Sequence, residues 1–206
     1  MHAKILTATL AAAAMGLAIP AMASATAVPN LPLSADQAYI ADSGGFPENG
    51  TVTVTGTISM NGAVTLGCQI SATIDYFDDG TTAVTAFTAT PCMVYGAAFT
   101  SNCALVVNPT SLDWGDRFGY DTDDSTFRDY INVSLDTIIT DGPTPPCPIK
   151  GTFGKTGILS PTLSVSGNVL SMTFGSGSGN LTGPTGSETW SGTLSGTLPS
   201  GSNLVY

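Results

Sequence analysis

The sequence predicts an all-β chain: a single antiparallel β-sandwich or barrel-like domain, disulfide-bonded. Three observations point there. From Asn49 onward apolar residues recur at every second position, as in TVTVTGTISM from Thr51 to Met60, the period of a strand with one buried face. After the first residues no stretch sustains a helical period with caps at its ends. Short alternating runs are separated at regular intervals by clusters such as DGPTPPCP and GSGSGNLTGPTG, the punctuation of a sandwich or barrel.

The elements follow in order. Residues 1–27 read as a secretory signal peptide: His2 and Lys4, an apolar run, then Ala21-Met22-Ala23 and Ala25-Thr26-Ala27. Cleavage is expected after Ala23 or Ala27, and the apolar run is too short to be a stable membrane span. Residues 28–47 show no sustained period and read as an irregular lead-in, with SADQAYIA able to form a turn or two of helix. The domain proper is residues 48–206. Asn61-Gly62 between alternating runs is a strong hairpin signal, and AVTLGCQISATIDYF resumes the alternation. Asp78-Asp79-Gly80 turns the chain into TTAVTAFTAT, which makes a three-strand meander. CALVVN, RDYINVSLDTIIT, GTFGKTG, TLSVSGNVLSMTF and ETWSGTLSGTL are later strand segments. Gly-Thr-apolar recurs at Gly56, Gly151, Gly192 and Gly196 without a fixed period, so it reads as ordinary strand vocabulary rather than a solenoid repeat.

Composition excludes several chemistries. His2 is the only histidine, and it leaves with the leader. The mature chain therefore has no imidazole for Ser-His-Asp or Cys-His catalysis, or for histidine-ligated metals. The formal net charge is −10, with only 10% charged residues. Such a surface repels nucleic acid and anionic lipid and suits neutral polymers, cations or other proteins. No segment after the leader is apolar enough to span a membrane, so the chain is expected to be secreted: extracellular, at the cell surface or periplasmic.

Cys68, Cys92, Cys103 and Cys147 form an even set in an exported chain without a C-x-x-C pair, which predicts two structural disulfides. The turn at Asp78 to Gly80 folds Cys68 toward Cys92 and leaves Cys103 for Cys147. Pairing Cys92 with Cys103 across the short MVYGAAFTSN loop is the competing connectivity.

Several features together resemble a known family. GTISMNGAVTLGCQISATI carries a cysteine in its second strand. NCALVVNPTSLDW runs from Cys103 through an apolar stretch and an N-P-T-S-L turn to Trp114. A Cys-Pro segment then precedes GTFGKTG, and the end is rich in Gly, Ser and Thr. This order is similar to the small secreted bacterial proteins called PraB-like, or "protein activator of alkane oxidation". Asp113 departs from that pattern where proline is expected, and residues 116–129 look like an insertion. The resemblance implies a non-catalytic exported protein linked to surface hydrophobicity, biofilm matrix or contact with oily substrates. It brings no catalytic residues.

The most charged stretch, DRFGYDTDDSTFRDY from Asp116 to Tyr130, reads as an acidic loop within residues 113–130. Asp121, Asp123, Asp124 and Ser125 offer oxygens for weak calcium, but the EF-hand glycine and glutamate positions hold Thr126 and Asn132. A glycosidase-like pair drawn from Asp113, Asp116, Asp124 and Asp129 has the right chemistry and no distinguishing pattern. The favoured reading is a solvated loop whose arginines, Arg117 and Arg128, pair locally, with Phe118 and Phe127 capping the sandwich. No cofactor beyond weak calcium is expected. The function expected is non-catalytic: adhesion, biofilm matrix or surface hydrophobicity, against a cell surface, matrix polymer or apolar substrate. One alternative is a carbohydrate-binding module using Trp114, Tyr120, Tyr130 or Trp190, with Trp190, on the same strand face as Glu188, exposed. The other is a self-associating fibre subunit, in which residues 28–47 or the last strand complete a neighbour's sheet.

Overall fold

A computed structural model of the chain describes residues 31–32, 35–62, 64–95, 102–110, 112, 114–144 and 146–206. The expected leader, both cleavage positions and Asp113 lie outside these. The described residues form fifteen strands and no helix. Two short strands, β1 (Ala35–Gln37) and β2 (Tyr39–Ala41), precede the meander of β3 (Gly50–Asn61), β4 (Thr65–Tyr76) and β5 (Thr81–Tyr95). Then come β6 (Cys103–Pro109), β7 (Trp114–Asp121), β8 (Thr126–Asp129), β9 (Ile131–Asp141), β10 (Gly151–Leu159) and β11 (Thr162–Ser166). The chain ends with β12 (Val169–Phe174), β13 (Leu181–Gly183), β14 (Gly186–Thr197) and β15 (Asn203–Val205).

All pairings are antiparallel, and the main sheet returns on itself. β3 pairs with β4 and β4 with β5. Beyond β5, the collinear β6 and β7 lie against β9 and β8. These pair in turn with β10 and β11. β13 and β12 follow, and both lie on β14, which pairs with β3. Closure of this kind leaves the long strands without a free edge.

The period-two pattern explains what fills the ring. Val52, Val54, Ile58 and Met60 of β3 and Leu66, Ile70 and Ile74 of β4 point inward and are buried. Phe87 packs on Trp114 at 5.0 Å, and Phe174 on Trp190 at 5.6 Å, giving the interior two aromatic pairs. The β3–β14 seam needs glycine: a Cβ on Gly56 or Gly192 would collide with the carbonyl of Thr193 or Thr57, and one on Gly196 with that of Thr53. Three of the four Gly-Thr-apolar triplets therefore have a purpose beyond strand vocabulary, since they let the closing strands approach. Cys68 bonds to Cys92, directly opposite it on β4 and β5, and Cys103 bonds to Cys147. This is the connectivity the meander turn favours.

Three expectations change. Residues 28–47 are not wholly irregular: β1 pairs with β7, and β2 pairs with β15. SADQAYIA supplies strands, not helix, because Ala38 and Ile40 alternate into the core. β2 and β15 thus cover one end of the barrel with Ile40 and Leu204. The acidic stretch is mostly a β-hairpin, β7 and β8, with a tight turn at its tip.

Candidate functional site

The barrel has a plugged end, a packed middle and an open mouth. At the plugged end Asp116 alternates with Trp114 and Phe118, and Asp129 with Ile131, so both carboxyl groups point inward and have no exposure. Thr82 lies opposite Asp116, and Tyr76 opposite Thr82. The Tyr76 hydroxyl, Thr82 Oγ1 and all four carboxyl oxygens lack protein partners. Burial, then the neighbouring Asp129, pushes the Asp116 carboxyl well above its ordinary 3.8. Burial alone lifts Asp129 to about 8. Burial and the proximity of a like group both favour the protonated form of this pair. Asp116 and Asp129 are the members of the sequence-derived acid pair that the fold brings together, in the plugged interior.

The tip of the hairpin is arranged differently. Asp121 Oδ1 accepts the amide of Asp123 at 3.1 Å, and Asp124 Oδ1 accepts the amide of Thr126 at 3.2 Å. Arg128 bonds to Asp124 and lies 3.5 Å from Asp121. Hydrogen bonds from Thr126 and then Arg128 hold Asp124 below the usual carboxylate range. Ser125 occupies the left-handed turn position, with φ of 58°. The carboxylates proposed for calcium thus face an arginine and turn amides. Among the described residues no group of three or more His, Cys, Asp or Glu is placed to hold a metal.

The predicted aromatic platform does not assemble. Trp114, Trp190 and Tyr130 are buried, because each falls on an inward-facing or sheltered position. Trp190 does share a face with Glu188, but that face is the interior. Phe118 is core rather than cap. Tyr120 stacks on Tyr206 at 3.8 Å, with Phe127 edge-on beside it.

The mouth holds groups that the sequence reading missed. Lys155 of β10 and Glu188 of β14 are both only 4% exposed. Lys155 Nζ donates to the carbonyl of Gly186 at 2.7 Å, and Glu188 Oε1 accepts from Trp190 Nε1 at 2.9 Å. Burial raises the Glu188 carboxyl, partly opposed by the Trp190 hydrogen bond and the Lys155 charge. Between them lies a cavity of about 210 Å³ walled by Val64, Leu66, Ile139, Ile149 and Phe153. Thr137 also lines it, with its hydroxyl buried and unpartnered. The available signal was Lys155 inside GTFGKTG and Glu188 inside ETWSGTL, each a charge within a strand pattern.

The outer wall is a third arrangement. Strand register aligns Thr162, Thr173, Thr193, Thr57 and Gln69 across five strands. A second row places Ser164, Ser171, Ser195, Thr55, Ser71 and Thr88 side by side. Neither row contains a charge. Cross-strand hydrogen bonds tie them, Thr173 to Thr193 at 3.3 Å and Thr57 to Gln69 at 2.9 Å. No protein-family model, curated protein or solved structure matches the chain.

Proposed function

We propose that this chain is an exported, non-catalytic contact protein of the cell surface or extracellular matrix, which lays its hydroxyl-bearing wall against a neutral polymer. The observation that carries this reading is the pair of uncharged Thr/Ser rows crossing β11, β12, β14, β3 and β4. Such rows present donors and acceptors at strand spacing, about 4.8 Å apart, on strands fixed by hydrogen bonding on both sides. A polysaccharide offers many hydroxyls of matching chemistry, so many weak contacts accumulate along one chain. The low charge of the sequence supports the same partner class, and two disulfides suit an extracellular or periplasmic location. The PraB-like resemblance, taken as a proposal, points the same way.

The test is retention of the mature chain on insoluble neutral polysaccharides and on intact cells. Thr55→Lys and Thr193→Lys, both on the outer wall, are expected to abolish retention while leaving the melting point nearly unchanged. Retention that survives both changes but is lost in Tyr206→Ala would replace the wall by the Tyr120–Tyr206 aromatic stack, the remaining form of a carbohydrate-binding module. Retention on neither support would overturn the reading. The fibre alternative finds its proposed strands already paired with each other, β2 on β15.

A further inference from the structure

We propose that the mouth of the barrel is a binding site for a small monocarboxylate with a short apolar body, held head-inward by Lys155 and Thr137. This site is independent of the polymer contact proposed for the outer wall.

The cavity has the composition of a ligand site: apolar walls with a few converging polar groups. Its volume of about 210 Å³ is small, the space of about seven liquid waters at ~30 Å³ each, and an apolar cavity of about 150 Å³ takes up benzene. The occupant is therefore a short chain or a single ring. Leu66, Ile139 and Phe153 meet its body. The rim is accessible, with Thr185 exposed and Ile149 half-buried.

The polar groups select the head. Lys155 is buried yet makes one hydrogen bond, to the Gly186 carbonyl, although an ammonium carries three donors. The Thr137 hydroxyl, on the adjacent paired strand β9, is buried with no partner. These unfilled donors sit at one cavity, and a carboxylate is the small group that accepts from several at once. Glu188 does not oppose such a head as a free anion would, because one of its oxygens is tied to Trp190 and its charge is offset by Lys155.

The test titrates octanoate, benzoate, acetate and 1-octanol into the mature protein while recording amide NMR spectra and calorimetry. Octanoate or benzoate should bind saturably, with shifts centred on Leu66, Ile139, Phe153 and Lys155. Acetate, lacking the body, should bind far more weakly. Lys155→Met should weaken octanoate at least tenfold and bring it level with 1-octanol, whereas Lys155→Arg keeps part of the preference. Ile149→Trp, at the partly exposed rim, fills the cavity from a position where misfolding is not expected, and should abolish binding. Its amide spectrum should otherwise match the parent's. The proposal is overturned if octanoate and benzoate show no saturable shifts at millimolar concentration. It is equally overturned if Ile149→Trp binds as the parent does, or if the parent binds 1-octanol as tightly as octanoate.

Discussion

At the mouth, a buried lysine and a buried glutamate of opposite sign each keep a hydrogen-bond partner and flank an open cavity. At the plugged end, two buried aspartates of the same sign keep no partner and lie beneath the β2–β15 cover. Both arrangements interrupt a period-two strand pattern with an inward charge. The mouth compensates its charges inside the fold, so they stay available for recognition. The plugged end compensates by protonation, so its groups report pH. Burial alone therefore does not identify a functional acid; what surrounds it decides.

The largest effect that would break this comparison is the response to pH. Asp116 and Asp129 have folded values above the ordinary 3.8, Asp129 at about 8. Between those values the folded chain holds more protons than the unfolded one. Their stabilising contribution is fully present below 3.8 and is lost as pH rises through the window. Each group acting alone gives a slope of about 1.4 kcal/mol per pH unit. Glu188 adds to the trend with the same sign, whereas the lowered values of Asp79, Asp124 and Asp141 give a contribution that is already complete above 3.8 and is lost only as pH falls below it. Urea unfolding from about pH 4 to pH 8 should therefore show stability falling. Asp129→Asn should flatten that fall and raise the midpoint at neutral pH. A flat parent profile would mean that the plugged end does not keep its acids dry.

The mouth disulfide comes next. Replacing Cys103 and Cys147 by serine should cost about 2–4 kcal/mol by releasing a 44-residue loop. It should also broaden the amide signals of β6 and β9 near Asp141 more than those of β7 and β8. Equal broadening at both ends would show that the bridge supports the whole barrel and not the mouth.

A smaller effect separates the two kinds of burial. Lys155→Met leaves Glu188 without its countercharge and the Gly186 carbonyl without its donor, so it should cost about 1–3 kcal/mol. Adding Glu188→Gln should recover part of that loss. Asp116→Asn should instead stabilise at neutral pH, because an amide replaces a carboxyl that must stay protonated. Chemical denaturation of the three variants at one pH checks both signs.

The same inward charges explain what the sequence concealed. The Asn61-Gly62 hairpin, the meander and the alternation of β9, β12 and β14 are legible because their inward positions are mostly apolar, Thr137 and Glu188 excepted. Trp114, Asp116 and Phe118, then Phe127, Asp129 and Ile131, do not alternate cleanly between apolar and polar, so β7 and β8 read as a solvated loop. β1 and β2 escaped because strands of three residues carry no period. The wall rows and the mouth cavity depend on register between strands distant in sequence, such as Thr57 with Thr193 and Lys155 near Glu188, and no local pattern specifies that. Trp190 and Glu188 do share a strand face, but an acidic residue on a face suggests solvent, whereas Glu188 accepts the indole N–H inside the barrel.

The smallest expected effect concerns the hairpin tip, and it sharpens the contrast with the buried pair on the same hairpin. Arg128, itself only 15% exposed, serves both Asp121 and the more exposed Asp124 and donates to the Ser160 carbonyl at 3.3 Å; water and salt screen the Asp124 pair. Arg128→Ala should therefore lower the melting point only slightly, and by less in high salt. It also removes the cation that occupies the carboxylates offered to calcium. Any calcium-dependent rise in melting point should accordingly be larger in Arg128→Ala than in the parent chain, since a ligand that binds only the folded form must stabilise it. A rise of equal size in both would mean that Arg128 and calcium use different oxygens, whereas a rise confined to the parent would make the arginine part of the site.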